Sequence, residues 1–375
     1  MSATSRALTE LETYCAIAVK HSYDQYDKHG TLHNKAAIAF EDPTVWEERW
    51  VPDDFDVCEA RTSSAWQRFS REQKLAWNHL QWCLDYSAVA QGERQLIVLN
   101  QFASADYKRV LPSVVELEER ESFEETDHIH AFTMVIDACR ERYFKGRRES
   151  LWSIPASGIG SERVNRRIRH LVGTLGRHLL GSNFPTLYFL ARGMKTHGFK
   201  PFENAITTSD ATHPVMKTIS HLHRLDESRH MATSLNLARL STAVLDTLPK
   251  DNLLVFKAAC QAAFPHRRSA AYRLTYWRKV LDEATIFANL PREVRDDLYR
   301  HLEARIGPNL TELHALQTRL TRQANKRIVE ECGLSPAMKR AFVAHMRADP
   351  AYAATVDAVD LDGLFARETV DVAEA

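Results

Sequence analysis

Glycine and proline are scarce in this chain, and the segments between them repeat their apolar residues with a helical period. Each accounts for 13 of 375 residues. No stretch shows the sustained alternation of apolar and polar residues that is typical of strands. The breaks between the periodic segments contain Pro43, Pro52, Pro155, Pro201 and Pro214. We therefore predict an all-α fold.

Several of the predicted helices are unusually long. A helix of about 30 residues spans about 45 Å, which is typical of a large bundle and not of a compact multi-helix domain. Four such helices in a row, followed by shorter ones, predict a long-helix bundle with additional C-terminal helices. The predicted helices are 5–25, 71–105, 113–145, 161–194, 213–247, 251–264, 267–289, 293–306, 309–331 and 335–348.

The chain shows no repeat of fixed period, no low-complexity tract and no convincing linker, so a single domain is expected. We assign residues 1–348 to it, with a core at about 70–247 and accessory helices at 250–348. The acidic segment 349–375 is predicted to be a loosely held tail.

The overall charge and hydropathy exclude several classes of protein. Lys and Arg number 49 and Asp and Glu number 49, so there is no net charge with which to hold nucleic acid. A hydrophobic content of 44% is enough for a large core. We see no signal peptide and no run of about 20 apolar residues that could span a membrane. A cytoplasmic location with no membrane partner is expected.

The six cysteines never form a CxxC pair, which favours neither a disulfide framework nor a zinc site. We expect them to be reduced core residues. They are Cys15, Cys58, Cys83, Cys139, Cys260 and Cys332.

Ionisable side chains interrupt the apolar rows of three of the long helices. Glu93 lies in the middle of the row formed by Trp82, Tyr86, Val89, Ala90, Leu96 and Ile97. Glu125 and His128 continue the row formed by Ile129, Phe132, Val135, Ile136 and Cys139. His223, Glu227 and His230 continue the row formed by Met216, Ile219, Met231 and Ser234. Steps of three and four residues stack side chains on one helical face, so these groups point toward a shared core.

An unpaired carboxylate in such a core costs several kcal/mol, and arginine partners would add their own desolvation cost. A metal ion is the better partner. The Glu-x-x-His spacing occurs at Glu125/His128 and again at Glu227/His230, which is the pattern of dinuclear sites in ferritin-like bundles. Oxygen and imidazole ligands favour iron or manganese.

Each Glu-x-x-His pair is preceded by a further acid. Glu124 stands four residues before His128, and Asp226 stands four residues before His230. One helical turn separates each acid from the histidine that follows it. We therefore expect each acid to accept a hydrogen bond from the histidine on its own helix.

The segment from about 70 to 240 resembles the ferritin-like non-haem di-iron oxygenases and, among them, the p-aminobenzoate N-oxygenase family. His223 matches an additional histidine of that family, four residues before the second Glu-x-x-His glutamate. The resemblance implies a non-haem di-iron monooxygenase that uses O2 as co-substrate. The implied metal ligands are Glu93, Glu125, His128, His223, Glu227 and His230.

The resemblance also implies the reaction and its partners. Two iron ions are expected, with manganese or a mixed Mn/Fe pair as the alternative. The implied reaction is N-oxygenation of a small amine or amino-acid-type substrate in secondary metabolism. Electrons would come from an external donor, a ferredoxin or a reductase, and the chain would form a homodimer.

One feature of the family pattern is missing. The third long helix should supply a carboxylate ligand, but no Asp or Glu occurs between Arg163 and Phe202. Asn183 and His178 both lie on apolar rows of this segment, and either could be the altered ligand position or a core residue, while Pro185 is predicted to bend the helix. A bound anion, such as a substrate carboxylate, is expected where the missing carboxylate would lie.

Other functions remain open from the sequence. Related scaffolds act as hydroxylases, desaturases or C–C-cleaving oxidases. A ferritin-like metal-storage or redox-sensing protein and a metal-free helical interaction protein with buried ion pairs are the other two classes. Basic clusters at Arg140–Arg148 and Arg163–Arg169 are either solvated helix faces or a docking rim. Aromatic residues concentrated at Trp66–Trp82 are interpreted as core.

Overall fold

The computed structural model describes most of the chain but not all of it. Side chains are described for fewer residues than the backbone. The described residues are 3–53, 60–144, 184–195, 200–244, 266–307 and 336–347, together with Thr174, His178 and Cys332.

The described residues fold almost entirely into α-helices, and none of them forms a named β-strand, which confirms the predicted all-α class. Short 3-10 turns at Pro43–Trp46, Ser64–Arg68 and Thr285–Phe287 connect some of them. The helices are α1 (Ala3–His29), α2 (Leu32–Ala39), α3 (Arg71–Ser104), α4 (Pro112–Phe144), α5 (Phe184–Lys195), α6 (Lys200–Thr208), α7 (Pro214–Val244), α8 (His266–Glu283), α9 (Arg292–Ile306) and α10 (Pro336–Arg347).

Seven of the ten predicted helices correspond to helices among the described residues. The end of the third long prediction is present as α5, while predictions 251–264 and 309–331 and the acidic tail lie outside the described residues. Two short helices, α2 and α6, were not predicted. Neither has an apolar repeat long enough to stand out from a loop. The assignment of residues 1–348 to one domain stays a prediction.

Helix α3 begins at a capping box. The Ser70 side chain accepts a hydrogen bond from the Gln73 backbone N–H, and the Gln73 side chain accepts one from the Ser70 backbone N–H. These bonds satisfy donors that the first helical turn leaves unpaired.

Changing Ser70 to alanine is expected to destabilise the protein without altering its metal content. Loss of an N-cap hydroxyl costs about 0.5–2 kcal/mol. Ser70 is exposed and lies more than five helical turns before Glu93. Urea denaturation of the variant checks the free energy of unfolding, with Ser70→Thr as the matched control that keeps the cap. An unchanged midpoint in Ser70→Ala would contradict the capping role.

The long helices are arranged around one polar interior. Helices α3 and α4 pack along most of their length, and the short connection between them makes them antiparallel. Helix α7 packs on α1, α5 and α6, but it approaches the backbone of α4 at only a few positions. Side chains therefore fill the space between α4 and α7. Among the described residues, no helix is both long enough and apolar enough to cross a membrane.

Two hydrophobic clusters lie along the bundle, and the ionisable residues fall between them. In α3, Ala90 belongs to the first cluster and Ala103 to the second. In α4, Ile129 belongs to the first and Leu117 to the second. Burial of apolar surface on both sides is thus what drives the intervening charged residues into the interior. The described cysteines, Cys15, Cys83, Cys139 and Cys332, are buried, as predicted, and no disulfide bond joins any of them; the other two lie outside the described residues.

Candidate metal centre

Buried acids and imidazoles from α3, α4 and α7 meet in the middle of the bundle. They form two groups. Within each group, the ligand atoms all lie within 4.8 Å of one another. Glu227 belongs to both groups, so its carboxylate can bridge two ions. The first group is Glu93, His128, His223 and Glu227, and the second is Glu125, Glu227 and His230. The six residues are those that the sequence predicted.

The first group is centred on Glu93. Its Oε1 atom lies 3.4 Å from His128 Nδ1 and 3.1 Å from His223 Nε2. The same His223 nitrogen lies 3.7 Å from Glu227 Oε1. Three helices therefore supply carboxylate oxygens and imidazole nitrogens at the spacing that one ion between them would need.

The second group lies one helical turn away. His230 Nδ1 is 3.2 Å from Glu125 Oε1 and 3.5 Å from Glu227 Oε1. The other Glu125 oxygen lies 3.7 Å from His128 Nδ1, which belongs to the first group. Glu125 and Glu227 thus both lie between the two groups, as bridging carboxylates do in dinuclear sites.

Several of these atoms lack a hydrogen-bond partner, which is a further reason to assign them to metal ions. Both Glu125 carboxylate oxygens, Glu93 Oε2, His128 Nδ1 and His230 Nδ1 are buried without one. Leaving such a group unsatisfied costs about 1–3 kcal/mol, and more when it is charged. The carboxylate oxygens can ligate a cation directly, and the two imidazole nitrogens can do so once they have lost their protons. The residues therefore fit a pair of metal ions.

The outward-facing nitrogens of two histidines are held by the predicted acids, but the pairing differs from the prediction. His128 Nε2 donates to Asp226 Oδ2 at 3.0 Å, and His230 Nε2 donates to Glu124 Oε2 at 2.8 Å. Each acid thus binds the histidine of the opposite helix and not the one on its own helix. The physical reason is simple. Side chains one turn apart on a helix point the same way, whereas an acid that accepts a hydrogen bond must face the imidazole N–H. The crossed bonds orient both imidazoles with Nδ1 toward the centre of the cluster, where it would be able to bind a metal ion.

One arginine connects these two acids. Arg229 Nη2 lies 2.7 Å from Asp226 Oδ1 and 2.5 Å from Glu124 Oε1. Helix α1 adds two further donors, because Ser22 Oγ donates to Glu124 and Gln25 Nε2 donates to Asp226 at 2.8 Å. Because both acids are held on their far side, their near oxygens stay aimed at the histidines.

The third histidine has an acid partner that sequence reasoning missed. His223 Nδ1 hydrogen-bonds Glu203 Oε1, and Glu203 is 1% exposed on helix α6. The same Glu203 oxygen accepts from the Tyr86 hydroxyl at 3.2 Å. Glu203 follows directly after the acid-free segment that ends at Phe202, and it faces the side of His223 that is turned away from the metals. The sequence pattern did not indicate Glu203, because the short helix α6 on which it lies was not predicted.

Helix α5, the described end of the predicted third long helix, contributes a buried cation beside Glu125. Arg192 of α5 is 4% exposed, and its Nη2 lies 2.7 Å from Glu121 Oε2 and 3.6 Å from Glu125 Oε1. Of the two positions left open by the sequence, Asn183 lies outside the described residues. His178 is helical but exposed, which is incompatible with a ligand in a buried cluster.

Two further acids extend the cluster along α4. Glu118 and Glu121 are buried and share a face with Glu125 and His128, at steps of three and four residues. Arg192 Nη1 lies 3.7 Å from Glu118 Oε1. Burial, and next the charge of Glu121, raise the pKa of Glu118 to about 8. Extending the predicted row by two turns toward the N-terminus would have found both acids.

The surrounding carboxylates raise the pKa values of the three site histidines. Burial alone lowers the pKa of His223, but the Glu203 carboxylate outweighs it and raises that pKa to about 10. Burial likewise opposes the charged form of His128, whose pKa is nevertheless held well above its usual value by Asp226 and Glu125. His230 behaves in the same way, with Glu121 and Glu125 raising its pKa.

Metal binding is therefore expected to release protons, and its affinity should rise with pH. A raised pKa means that the imidazole carries its extra proton near neutral pH, whereas a ligating imidazole must be neutral. The affinity for Mn²⁺ should thus increase from pH ~6 to ~8. Calorimetric titration of the metal-free chain in buffers of different ionisation enthalpy measures the protons released. Binding that releases none at either pH would contradict the charge state described here.

Only one of the six residues has access from outside. The Glu227 side chain keeps 14% of its surface exposed, while the side chains of Glu93 and His223 keep 3% and 1%. Glu227 is therefore the member of the cluster that lies nearest to solvent.

The comparisons with known proteins give one partial match. Residues 34–149 match the model of a family described as acyl halogenase CylC-like. The match covers less than half of the chain, including Glu93, Glu125 and His128 but not the ligands of α7. No curated protein and no solved structure matches. The match supports an oxidative enzyme in general terms, and it gives no support to the N-oxygenase family in particular.

Proposed function

We propose that this chain is an O2-dependent non-haem di-iron enzyme that functionalises a carbon of an acyl substrate, with a halide ion as co-substrate. The observation that carries the proposal is the pair of ligand groups that share Glu227. The description of the matched family supplies the acyl and halide chemistry. A bound iron pair would supply O2 activation, and a mixed or manganese pair has the same ligand preference.

The residues of the chain hold and shape the centre. Three carboxylates and three imidazoles bind the ions, while Asp226 and Glu124 orient two of the imidazoles from behind. Helix α5 offers Arg192 in place of a fourth carboxylate. A ligand position that the described residues leave unfilled would be open to an external anion, and this favours a halide or a substrate carboxylate.

The overall reaction requires an electron donor. One O2, one halide, two electrons and three protons convert a C–H bond into a carbon–halogen bond with the release of two water molecules. A ferredoxin or a reductase is the expected source of the electrons. The substrate is a small molecule, nucleic acid and membrane are not expected partners, and a homodimer is the expected assembly.

Amine N-oxygenation is the second candidate, and one observation favours it. His223 lies in the first ligand group, with its Nε2 atom facing Glu93 and Glu227. An additional histidine at this position is the feature by which the sequence resembles the p-aminobenzoate N-oxygenases. On this alternative the same centre would convert an amine to hydroxylamino, nitroso or nitro products. Hydroxylation, desaturation and C–C cleavage would use the same ligands.

Product analysis separates these reactions. The iron-loaded chain is reduced, supplied with O2, and offered either a medium-chain fatty acyl thioester or p-aminobenzoate, each with and without bromide. We expect a brominated acyl product that disappears when bromide is omitted. Oxidised arylamine in both conditions, with no acyl product, would favour the second candidate. The absence of any O2-dependent product would leave metal storage as the better description.

The matched control uses two histidines. His223→Ala should lose product formation, whereas His178→Ala should keep it, because His178 is exposed and lies outside both ligand groups. Equal losses in the two variants would argue against chemistry at this centre.

A further inference from the structure

A line of aromatic rings leads from the protein surface to the candidate metal centre. The Trp46 and Trp50 ring centroids are 5.2 Å apart, and those of Trp50 and Trp82 are 5.9 Å apart. Trp82 stacks on Tyr86 at 4.0 Å, with 23° between the ring planes. The Tyr86 centroid lies 6.0 Å from the imidazole of His223. Each ring thus contacts the next.

The inner end of the line is joined to a metal ligand by hydrogen bonds. The Tyr86 hydroxyl lies 3.2 Å from Glu203 Oε1 and 2.7 Å from Ser220 Oγ. Glu203 also hydrogen-bonds His223 Nδ1. Tyr86 is fully buried, so its phenol has a carboxylate beside it to take up a proton and no bulk water.

The outer end is accessible. Trp46 is only partly buried, and Arg142 lies over its ring at 4.9 Å. The neighbouring residues Glu47 and Glu48 are exposed. Trp50 and Trp82 have no exposed surface. A redox partner could therefore contact the outer ring at the surface, without direct access to the buried metal ligands.

We propose that Trp46, Trp50, Trp82 and Tyr86 form a one-electron relay between the surface and the metal centre. The proposal rests on the proposed function, which requires electrons from an external donor. Electron tunnelling weakens exponentially with distance, so several short hops are faster than one long one. Indole and phenol are the natural stations because they are the ring side chains most easily oxidised by one electron.

Core packing alone does not explain the direction of this line. A second aromatic cluster surrounds Trp77 and Trp277, whose rings stack at 3.7 Å with 4° between their planes. Trp66, Phe69 and Phe287 complete that cluster. No ring contact recorded among the described residues joins it to a metal ligand. The line from Trp46 differs because it ends at His223.

The electrons and protons balance along the relay. With a metal pair bound and oxidised, one electron would pass to it from Tyr86, and the phenolic proton would move to Glu203. An electron from Trp82 then restores Tyr86, and the proton returns from Glu203. Trp50 then gives an electron to Trp82, and Trp46 gives one to Trp50. The final donor, which reduces Trp46, is a one-electron reductant at the surface, either a reduced iron–sulfur protein or a flavin semiquinone. Every ring of the relay is therefore back in its reduced form after one transfer.

A light-driven experiment tests the relay without turnover. The full chain is loaded with redox-inert zinc, and a ruthenium polypyridyl photo-oxidant is attached at Glu47→Cys, with the labelled site verified by peptide mapping. After a laser flash with an oxidative quencher, a tryptophan radical is expected first and a tyrosyl radical next. Tyr86→Phe, which removes only a hydroxyl group, should abolish the tyrosyl radical and leave the tryptophan radical.

Three further variants make the test decisive. Trp82→Phe should also abolish the tyrosyl radical, and Trp277→Phe, the matched control in the second cluster, should leave it unchanged. Tyr143 is the competing end point, because its ring lies 6.2 Å from that of Trp46. A tyrosyl radical that survives Tyr86→Phe and disappears in Tyr143→Phe would overturn the proposal. If Trp82→Phe does not fold, the Tyr86→Phe result decides alone.

The outcome is independent of the proposed function. The experiment uses no O2, substrate or iron, so a failed relay leaves the oxidative activity intact as a proposal. Conversely, radical transfer to Tyr86 in a protein that forms no O2-dependent product would leave the relay standing and remove the assigned reaction.

Discussion

Replacing Glu227 with glutamine is expected to remove both metal ions at once. Glu227 is the one residue present in both ligand groups, and its Oε1 atom lies 3.7 Å from His223 Nε2 and 3.5 Å from His230 Nδ1. A neutral amide keeps the size of the side chain but loses the negative charge that the two cations share. We expect about two ions per wild-type chain and less than one per variant chain, as is typical of a lost bridging ligand in a dinuclear site.

Metal analysis after anaerobic loading with Fe²⁺ and desalting gives the comparison. Glu119→Gln is the matched control, because Glu119 is an exposed glutamate on α4 outside both groups. It should retain the wild-type content. A Glu227→Gln chain that still bound two ions would show that Glu227 bridges nothing.

Replacing Arg192 with methionine is expected to cost about 3–5 kcal/mol of folding stability, the usual penalty for breaking a buried ion pair. Its side chain is 2% exposed, and its guanidinium lies 2.7 Å from Glu121 and 3.6 Å from Glu125. Methionine fills similar volume but leaves the two carboxylates without their cation. Urea denaturation of the metal-free chain measures the loss.

Two comparisons identify the cause of that loss. Arg140→Met removes ion pairs to Asp137 and Glu141 from an arginine that is 28% exposed, and it should cost less than about 1 kcal/mol. The double variant Arg192→Met, Glu121→Gln should regain part of the stability, because it also removes the nearest unpaired charge. An equal loss of unfolding free energy in Arg192→Met and Arg140→Met would contradict a special role for Arg192.

The ligand residues could be predicted because each one interrupts an apolar helical row. Glu93 and the two Glu-x-x-His pairs lie between residues of the two hydrophobic clusters, so their burial follows from the same periodicity that predicts the helices. The structure brings all six together from α3, α4 and α7. Their role as metal ligands remains a prediction that these distances support.

The supporting residues could not be predicted in the same way. Glu203 lies on a short helix without a long apolar repeat, and its distance from His223 depends on how α6 packs on α7. The crossed pairs of Glu124 with His230 and Asp226 with His128 depend on the relation between two helices, which spacing within one helix does not give. Arg192 is a cation, whereas the family resemblance predicts a carboxylate on the third long helix, so it was not predicted at the site.

The specific reaction was even less accessible from the sequence. The resemblance to the p-aminobenzoate N-oxygenases predicted the di-iron ligands and amine oxidation together. The family match points instead to an acyl halogenase description, over residues 34–149 only. The ligand set is shared by many oxidative reactions, so it constrains the cofactor more strongly than the substrate. No Asp or Glu lies between Arg163 and Phe202, and this feature bears most directly on which external anion a bound metal pair would accept.

Anomalous scattering from crystals of the iron-loaded chain tests the central assignment most directly. The account predicts two iron peaks, one among Glu93, His128 and His223 and the other between Glu125 and His230, with Glu227 shared by both. A single peak, or iron bound elsewhere while these six side chains keep only hydrogen bonds and ion pairs among themselves, would contradict it.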